Sequence, residues 1–312
     1  MKSLLHIVWI TLLFSCTQNA GKKNPPTSHE PLPLTVLTYN MWQGSEAGNH
    51  DIGEALEVIK VSGATIAGLQ EAYTWREDGS HTDNGAGLAE RLGWNYFSQG
   101  GSGILTPYEI CDTTIGNRGV KLRIDDTRYI WFFNSHLFHM PYQPYQLGNK
   151  EYGDFPFITT AEEAIHYARL ARFAETENYI REIATIENEG WPVILTGDFN
   201  EPSHLDWTEK AVDAGLYPIP VTWPTTAAYA ETGLKDAWRV KFPDEVQKPG
   251  HTWSSIDSPG EIHDRIDFVL FKGEQLEVRD AATLGSGDGI SDIAIENYPS
   301  DHRAVRILFQ MK

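Results

Sequence analysis

The sequence predicts a mixed α/β domain, and three observations carry that expectation. Short apolar runs that end abruptly on Asn, Glu, His or Asp read as buried strands, as in Val-Ile-Leu-Thr at 193–196 before Gly197 and Asp198. Segments with apolar residues at helical spacing separate some of these runs, which suits parallel strands joined by crossovers. Elsewhere a tight connection such as Asp125-Asp126 leaves no room for a helix, which suits antiparallel hairpins.

The chain has 312 residues, 41% hydrophobic and 22% charged, an ordinary globular composition that can bury a sizeable core. Residues 34–39, Leu-Thr-Val-Leu-Thr-Tyr, have the β-branched and aromatic character of a first strand, which exits at Asn40. Ile52, Leu56 and Ile59 recur at helical spacing over 51–61, and Gly63 is placed to stop that helix. A second apolar run at 64–69 delivers Gln70 and Glu71 at its end. Asn84-Gly85 opens a short helix around Leu88 and Leu92 that Gly93 closes, and strands are expected from 94–97, 103–108, 119–124 and 129–134. The last of these runs out into Ser135-His136-Leu137-Phe138-His139. Residues 141–159 read as a long irregular loop carrying Tyr142, Tyr145, Tyr152, Phe155 and Phe157, a wall for a substrate. Thr160 and Glu163 have capping-box spacing at the head of one long helix that stops near Gly190. That helix feeds the 193–197 strand. Asp198 and Asn200 lie two apart on a segment read as extended, so their side chains are expected to point the same way. A helix at 225–234, a loop at 242–261 and strands at 265–271, 278–284 and 304–309 complete the chain, with Arg265 and Asp267 on one side of their strand.

The start needs separate treatment. Lys2, the apolar run 4–14 and Ser15-Cys16 have the layout of an export signal, and Leu13-Phe14-Ser15-Cys16 resembles a bacterial lipobox. The expectation is therefore a leader over 1–16, a flexible tether over 17–33, a catalytic domain over 34–312, and lipid anchoring through Cys16 in the periplasm or cell envelope. Cys111 then has no partner and is expected to be a packed thiol. Lysine and arginine total 25 against 43 acids, a net charge of −18. Such a chain repels polyphosphate backbones, so a stable nucleic-acid partner is not expected. A monomer is.

Strand ends bearing Asn40, Glu71, His136, Asp198 and Asn200, with Asp267 and Asp301-His302 farther along, all suit a divalent metal or a phosphate oxygen. Glu71, Asp198 and Asp301 offer the hard oxygens that Mg²⁺ or Ca²⁺ takes, whereas no cysteine cluster and no His-Glu-x-x-His spacing points to zinc. There is no Gly-x-Ser-x-Gly elbow.

In order, Thr38-Tyr39-Asn40, Gln70-Glu71, Asn134-Ser135-His136-Leu137, Gly197-Asp198-Phe199-Asn200, Asp264-Arg265-Ile266-Asp267 and Ser300-Asp301-His302 resemble the endonuclease/exonuclease/phosphatase superfamily. Residues 201–207 and the Pro-Tyr-Gln-Pro-Tyr at 141–145 look like a secreted bacterial branch of it. The resemblance implies a DNase I-like four-layer α/β/β/α sandwich with two facing mixed sheets. It further implies that Asn40 and Glu71 hold a divalent cation, Mg²⁺ first with Mn²⁺ or Ca²⁺ as alternatives, and that Asp301 lies close to it. By the same resemblance Asp198 positions or deprotonates the attacking water, Asn200 binds a nonbridging phosphate oxygen, His136 and His302 flank the phosphorus, and Asp267 orients His302. Which of Asp198, His136 and His302 is acid and which base stays open. Arg118, His139, Tyr142, Tyr145, His204 and Arg265 are candidates for substrate contact. The expected activity is hydrolysis of a small or medium phosphomonoester or phosphodiester by in-line water attack. The alternatives are a nuclease of the same chemistry and a lipoprotein that only binds a ligand.

Overall fold

The computed structural model describes residues 30–256, 260–287 and 289–312, so the expected leader, Cys16 and most of the tether lie outside the described residues. Residues Pro31–Lys312 form one compact unit. Its first strand, β1 (Leu32–Asn40), begins two residues earlier than expected. Pro33 is tolerated there because β2 (Ile66–Gln70) pairs with β1 only from Val36 onward, which leaves one edge of the strand free of a ladder. Between them runs α1 (Ile52–Ser62), opened by an Asp51/Glu54 capping box and ended by left-handed Gly63. As the crossover demands, β1 and β2 are parallel.

A small hairpin of β3 (Tyr73–Trp75) and β4 (His81–Asp83) follows, then α2 (Asn84–Leu92), β5 (Asn95–Ser98) and β6 (Gly103–Thr106). Next come β7 (Glu109–Thr113), β8 (Gly119–Arg123) and β9 (Tyr129–His136), the last two antiparallel across Asp125-Asp126. Neither the hairpin nor β7 is legible in the sequence, since β7 is a mostly exposed edge strand without an apolar face. Cys111 lies in it and is exposed, which corrects the expectation of a packed thiol. The 141–159 stretch is not wholly irregular, because α3 (Gln143–Leu147) buries Tyr145 within it while Tyr142 is buried at its N-cap. The long helix is α4 (Ala161–Ala168), one π turn (Arg169–Phe173) and α5 (Ala174–Ile186). It crosses over to β10 (Val193–Asp198), which pairs parallel with β9.

The remainder contributes α6 (Glu209–Asp213), α7 (Pro224–Glu231), β11 (Lys235–Asp236), α8 (Ala237–Lys241), β12 (Asp267–Lys272), β13 (Leu276–Gly285), β14 (Ile293–Ala294) and β15 (Ala304–Met311). Two mixed sheets result, in the orders β14-β13-β15-β1-β2-β6-β5 and β11-β12-β10-β9-β8-β7. Val36, Ile66, Ile104 and Ile307 of the first meet Phe132, Ile194, Val269 and Phe271 of the second in a shared core. On the outer faces α1 packs Ala55, Val58 and Ile59 against Leu37, Tyr39 and Leu69, while α5 packs Ile183 and Ile186 against Trp131, Phe133 and Leu195. The period of two in β9 thus sends Ile130 and Phe132 between the sheets and Trp131 and Phe133 to the helix side. This is the expected four-layer α/β/β/α sandwich.

A buried polar clasp joins the sheets beneath one end of the sandwich. Gln70 Nε2 donates to Asn134 Oδ1 at 2.6 Å, and Asn134 Nδ2 donates to the carbonyls of Leu69 and Gly103 at 2.9 and 3.1 Å. Thr196 Oγ1 donates to Asn134 Oδ1 at 3.1 Å. Gly68 is required here by close approach, since a methyl group on it would lie 2.0 Å from Thr196 Oγ1 and 2.4 Å from Asn134 Oδ1.

Candidate active site

Strand register assembles the site at the ends of both sheets. In the first sheet Asn40 stands beside Gln70, so Asn40 and Glu71 leave neighbouring parallel strands together. In the second sheet Asp198 is paired with His136 on one side and with Asp267 on the other. Across the gap between the sheets, Asn40 Nδ2 donates to Asp198 Oδ2 at 3.0 Å and to Glu71 Oε1 at 3.3 Å. Glu71 also accepts from the Gln43 amide at 3.0 Å. Asp301 and His302, just before β15, complete the ring around one cavity.

The Asp198 and Asn200 reading needs correction in its mechanism. Asn200 is not extended: its φ is +49°, and its amide N–H donates to Asp198 Oδ1 at 2.9 Å. The two side chains meet through this turn rather than by strand alternation, with Asn200 Nδ2 donating to the Leu137 carbonyl at 2.9 Å. Glu71 is likewise left-handed at φ +50°. A non-glycine residue pays a strain of order 1 kcal/mol or more for that conformation, and four residues that line this cavity, Trp42, Gln43, Glu71 and Asn200, adopt it.

His302 Nδ1 lies 2.9 Å from Asp267 Oδ2, and its Nε2 is 3.8 Å from Asp198 Oδ2. His136 Nε2 lies 3.6 Å from Asp198 Oδ2 and 3.9 Å from Glu71 Oε1. Burial works against the imidazolium of His302, but the charges of Asp267 and Asp198 outweigh it and hold its pKa well above the ordinary histidine value. Asp198 is raised as well, by burial first, against the pull of His302. Asp301 is pushed up to about 7, by burial that His302 only partly offsets and Glu71 reinforces. His139 at the wall is lowered by burial.

The cavity measures about 810 Å³. Besides the residues above, His139, Tyr142, Tyr145 and Tyr152 line it, as the sequence reading expects of that stretch. Three expected substrate contacts are not there. Arg118 turns away to pair with Glu182. Arg265 is buried between Asp206 at 2.9 Å and Asp236 at 2.7 Å, where the charge is neutralised inside the fold and cannot reach a ligand in the cavity. His204 lies in a separate pocket of about 340 Å³, bonded to Thr226 at 2.9 Å. Sequence reasoning also missed much of the lining: Trp42, Tyr73, Trp75, Gln99, Tyr179 and Trp253. No local signal marks them, because an aromatic residue in a sequence reads equally well as core.

The sequence profile of the endonuclease/exonuclease/phosphatase family matches residues 37–302, a span that contains every strand-end residue of this cavity. The chain belongs to that family. Members of the endonuclease/exonuclease/phosphatase family are usually phosphoesterases or nucleases, and they commonly use divalent metals. An uncharacterised Caenorhabditis elegans protein is 28% identical over 294 residues, which span 87% of this chain and 90% of that protein. Among solved structures, an endonuclease/exonuclease/phosphatase protein from Beutenbergia cavernae superposes with a TM-score of 0.53 at 17% identity, covering 89% of this chain and 72% of that one. A family protein from Bacteroides thetaiotaomicron gives 0.52 at 16% identity, over 91% and 97% of the two chains. Truncated Caenorhabditis elegans TDP2 gives 0.50 at 17%, over 89% and 97%. At these identities the structures speak for the fold alone.

Whether this chain's residues suit a divalent cation can be tested on its unpaired oxygens. Asp301 Oδ1 is buried with no hydrogen-bond partner, the Glu71 carboxylate lines the same cavity, and both are hard donors. A cation between them would offset the desolvation that raises Asp301. Asn40 fits less directly, because its Oδ1 accepts from the Trp42 amide at 2.9 Å and its nitrogen faces the acids. Asp198, Asp267 and His302 also lie close enough to share an ion. Asp267 Oδ2 already bonds His302, while Asp267 Oδ1, like Asp301 Oδ1, is buried without a hydrogen-bond partner.

Proposed function

We propose that this protein is a divalent-metal-dependent phosphoesterase that hydrolyses a small or medium phosphomonoester or phosphodiester by in-line water attack. One observation carries the reading: His136, the Asp267–His302 pair and the carboxylates of Glu71 and Asp301 converge on one cavity from both sheets. A cation at Glu71 and Asp301 would supply Lewis-acid stabilisation of charge on the phosphoryl oxygens. The chain's own residues do the rest. Asp198 orients the attacking water and takes up its proton. Asp267, bonded at Nδ1, leaves the His302 Nε2 as the nitrogen turned toward Asp198, from which it can donate to a phosphoryl or leaving oxygen. His136 flanks the opposite side of Asp198.

The test is turnover of a panel of phosphomonoesters and phosphodiesters with Mg²⁺, Mn²⁺ or Ca²⁺. Chelation with EDTA is expected to abolish the activity and Mg²⁺ to restore it. Turnover indifferent to EDTA would remove the metal from the reading. Nothing in the cavity favours extended nucleic acid, since no lysine or arginine is among its described lining residues.

We further propose that the protein acts as a monomer outside the cytoplasmic membrane, anchored by lipid on Cys16, on the support of the lipobox-like run at 13–16. No helix among the described residues is long and apolar enough to cross a membrane. Labelled palmitate is expected to enter the wild-type chain in bacterial cells and not the Cys16→Ser variant. Equal labelling of both would sink the anchor.

A further inference from the structure

The reacting end of the cavity accounts for a phosphate, but its outer half has a different chemistry. We propose that this outer half is a subsite for an uncharged ring on a substrate that carries a single phosphate, with Trp75 as its stacking platform; the inference rests on the phosphoesterase reading above. Three independent features support it.

The first is charge. The described lining contains no Lys or Arg, and the cations nearby are committed elsewhere. Arg76, next to Trp75, is held by both carboxylate oxygens of Glu46 at 2.8 and 3.1 Å. Arg118 is turned to Glu182, and Arg172 is buried on Glu201. A second phosphate would meet only Glu71, Asp198, Asp301 and histidines, so the remainder of the substrate is not anionic.

The second is shape. Trp42, Tyr73, Trp75 and Tyr152 also line the cavity, while Trp253 packs against His302 at the reacting end, with ring centroids 4.8 Å apart. Trp75 is 58% exposed, so it contributes little to the core, yet it is not loosely held. The Tyr73 and His81 rings stack across the β3–β4 hairpin at 4.2 Å and 11°, with Trp75 5.0 Å from His81. Thr74 Oγ1 donates to the Gln43 carbonyl at 2.7 Å and accepts from Asn84 Nδ2 at 2.8 Å, which locks the hairpin to the loop after β1. A rigid, exposed indole at a cavity rim is preorganised for a planar-faced ligand.

The third is polarity. Gln43 and Ser102 line the same cavity, and among the described residues the Gln43 side-chain amide and the Ser102 hydroxyl have no hydrogen-bond partner within the protein. Aromatic faces beside free amide and hydroxyl groups fit a ring with polar substituents better than an alkyl chain. Such a ring is a sugar or a substituted arene, and the experiment separates these two sources.

Specificity constants of wild type, Trp75→Ala and Trp75→Phe would be measured on glucose 6-phosphate, 4-nitrophenyl phosphate and ring-free glycerol 2-phosphate. In Trp75→Ala the preference for a ringed substrate over glycerol 2-phosphate is expected to fall about three- to tenfold, through KM, and Trp75→Phe to regain most of it. The ringed substrate that loses most identifies the source. A preference unchanged in Trp75→Ala, with turnover intact, overturns the subsite and leaves the phosphoesterase standing. Saturation-transfer NMR with methyl glucoside and with phenol gives a readout without turnover. Contact in wild type that Trp75→Ala loses supports the subsite even if no phosphoester is hydrolysed, which would sink the function alone. Contact by neither probe overturns the subsite.

Discussion

Asp198→Asn is expected to lower kcat for any phosphoester the protein hydrolyses by about 10²- to 10⁴-fold, with KM changed little. The replacement is nearly isosteric. Its side-chain oxygen can still accept from the Asn200 amide, the bond that shapes the turn. Lost is the carboxylate that faces His136 at 3.6 Å and His302 at 3.8 Å, the group proposed above to orient the water and take its proton. Because burial raises the Asp198 pKa, its charge is a burden on the fold. Relief of that burden partly offsets the loss of the acceptor for Asn40 Nδ2 at 3.0 Å, so the variant is expected to stay folded with a melting temperature close to that of wild type. Steady-state kinetics beside a thermal melt would check both halves. A kcat within threefold of wild type in a folded variant would mean that Asp198 is not the water-activating group. It would also reopen the reading of a pocket that only binds.

Arg172→Met has the largest effect expected on stability, about 3–5 kcal/mol. The π turn at Arg169–Phe173 directs this side chain inward, where the guanidinium is fully buried against Glu201 at 3.4 Å. It donates to the carbonyls of Phe138 and Pro141 at 3.2 and 2.7 Å and to Gln143 Oε1 at 2.9 Å. Glu201 in turn accepts from the Thr225 amide at 2.7 Å. One cation therefore ties the cavity wall after β9 to the turn after β10, and its removal leaves an uncompensated carboxylate and two acceptors, the Phe138 carbonyl and Gln143 Oε1, without their donor, while Pro141 keeps its bond from Gln143 Nε2. Urea unfolding should show the loss as a lower midpoint with unchanged slope. The double variant Arg172→Met/Glu201→Gln should recover part of it. A loss under about 1 kcal/mol would show that water enters and replaces the arginine.

How far the site was legible follows from what each residue answers to. Asn40, Glu71, His136 and Asp198 stand out in the sequence because a buried strand is a continuous apolar run, and a polar residue ending it breaks a local pattern. Their order along the chain then carried the family resemblance, and the fold and family that it implied hold. The walls were another matter. Tyr142 and Tyr145 drew attention only through the length of their stretch, while Trp42, Tyr73, Trp75 and Trp253 did not. Arg118, in Gly-Asn-Arg-Gly, and Arg265, within a motif, looked like phosphate ligands, yet each has an acid from a distant segment at its side, Glu182 in one case and Asp206 and Asp236 in the other.

The four layers and the roles of the site residues came only through the family resemblance, and what the sequence determined by itself was a mixed α/β chain with strands that end in polar groups. Those properties depend on periodicity and composition over a few neighbouring residues, which a single chain displays directly. Only the tertiary structure decided how they meet: the register that sets Asp198 between His136 and Asp267, the left-handed turns at Glu71 and Asn200, the withdrawal of Arg118, Arg172 and Arg265 into ion pairs, and the aromatic lining. The reason is physical. Pairing of charges and stacking of rings are settled by contacts between segments tens to hundreds of residues apart, as between Asn40 and Asp198. No local pattern records which of several possible partners such a side chain will find.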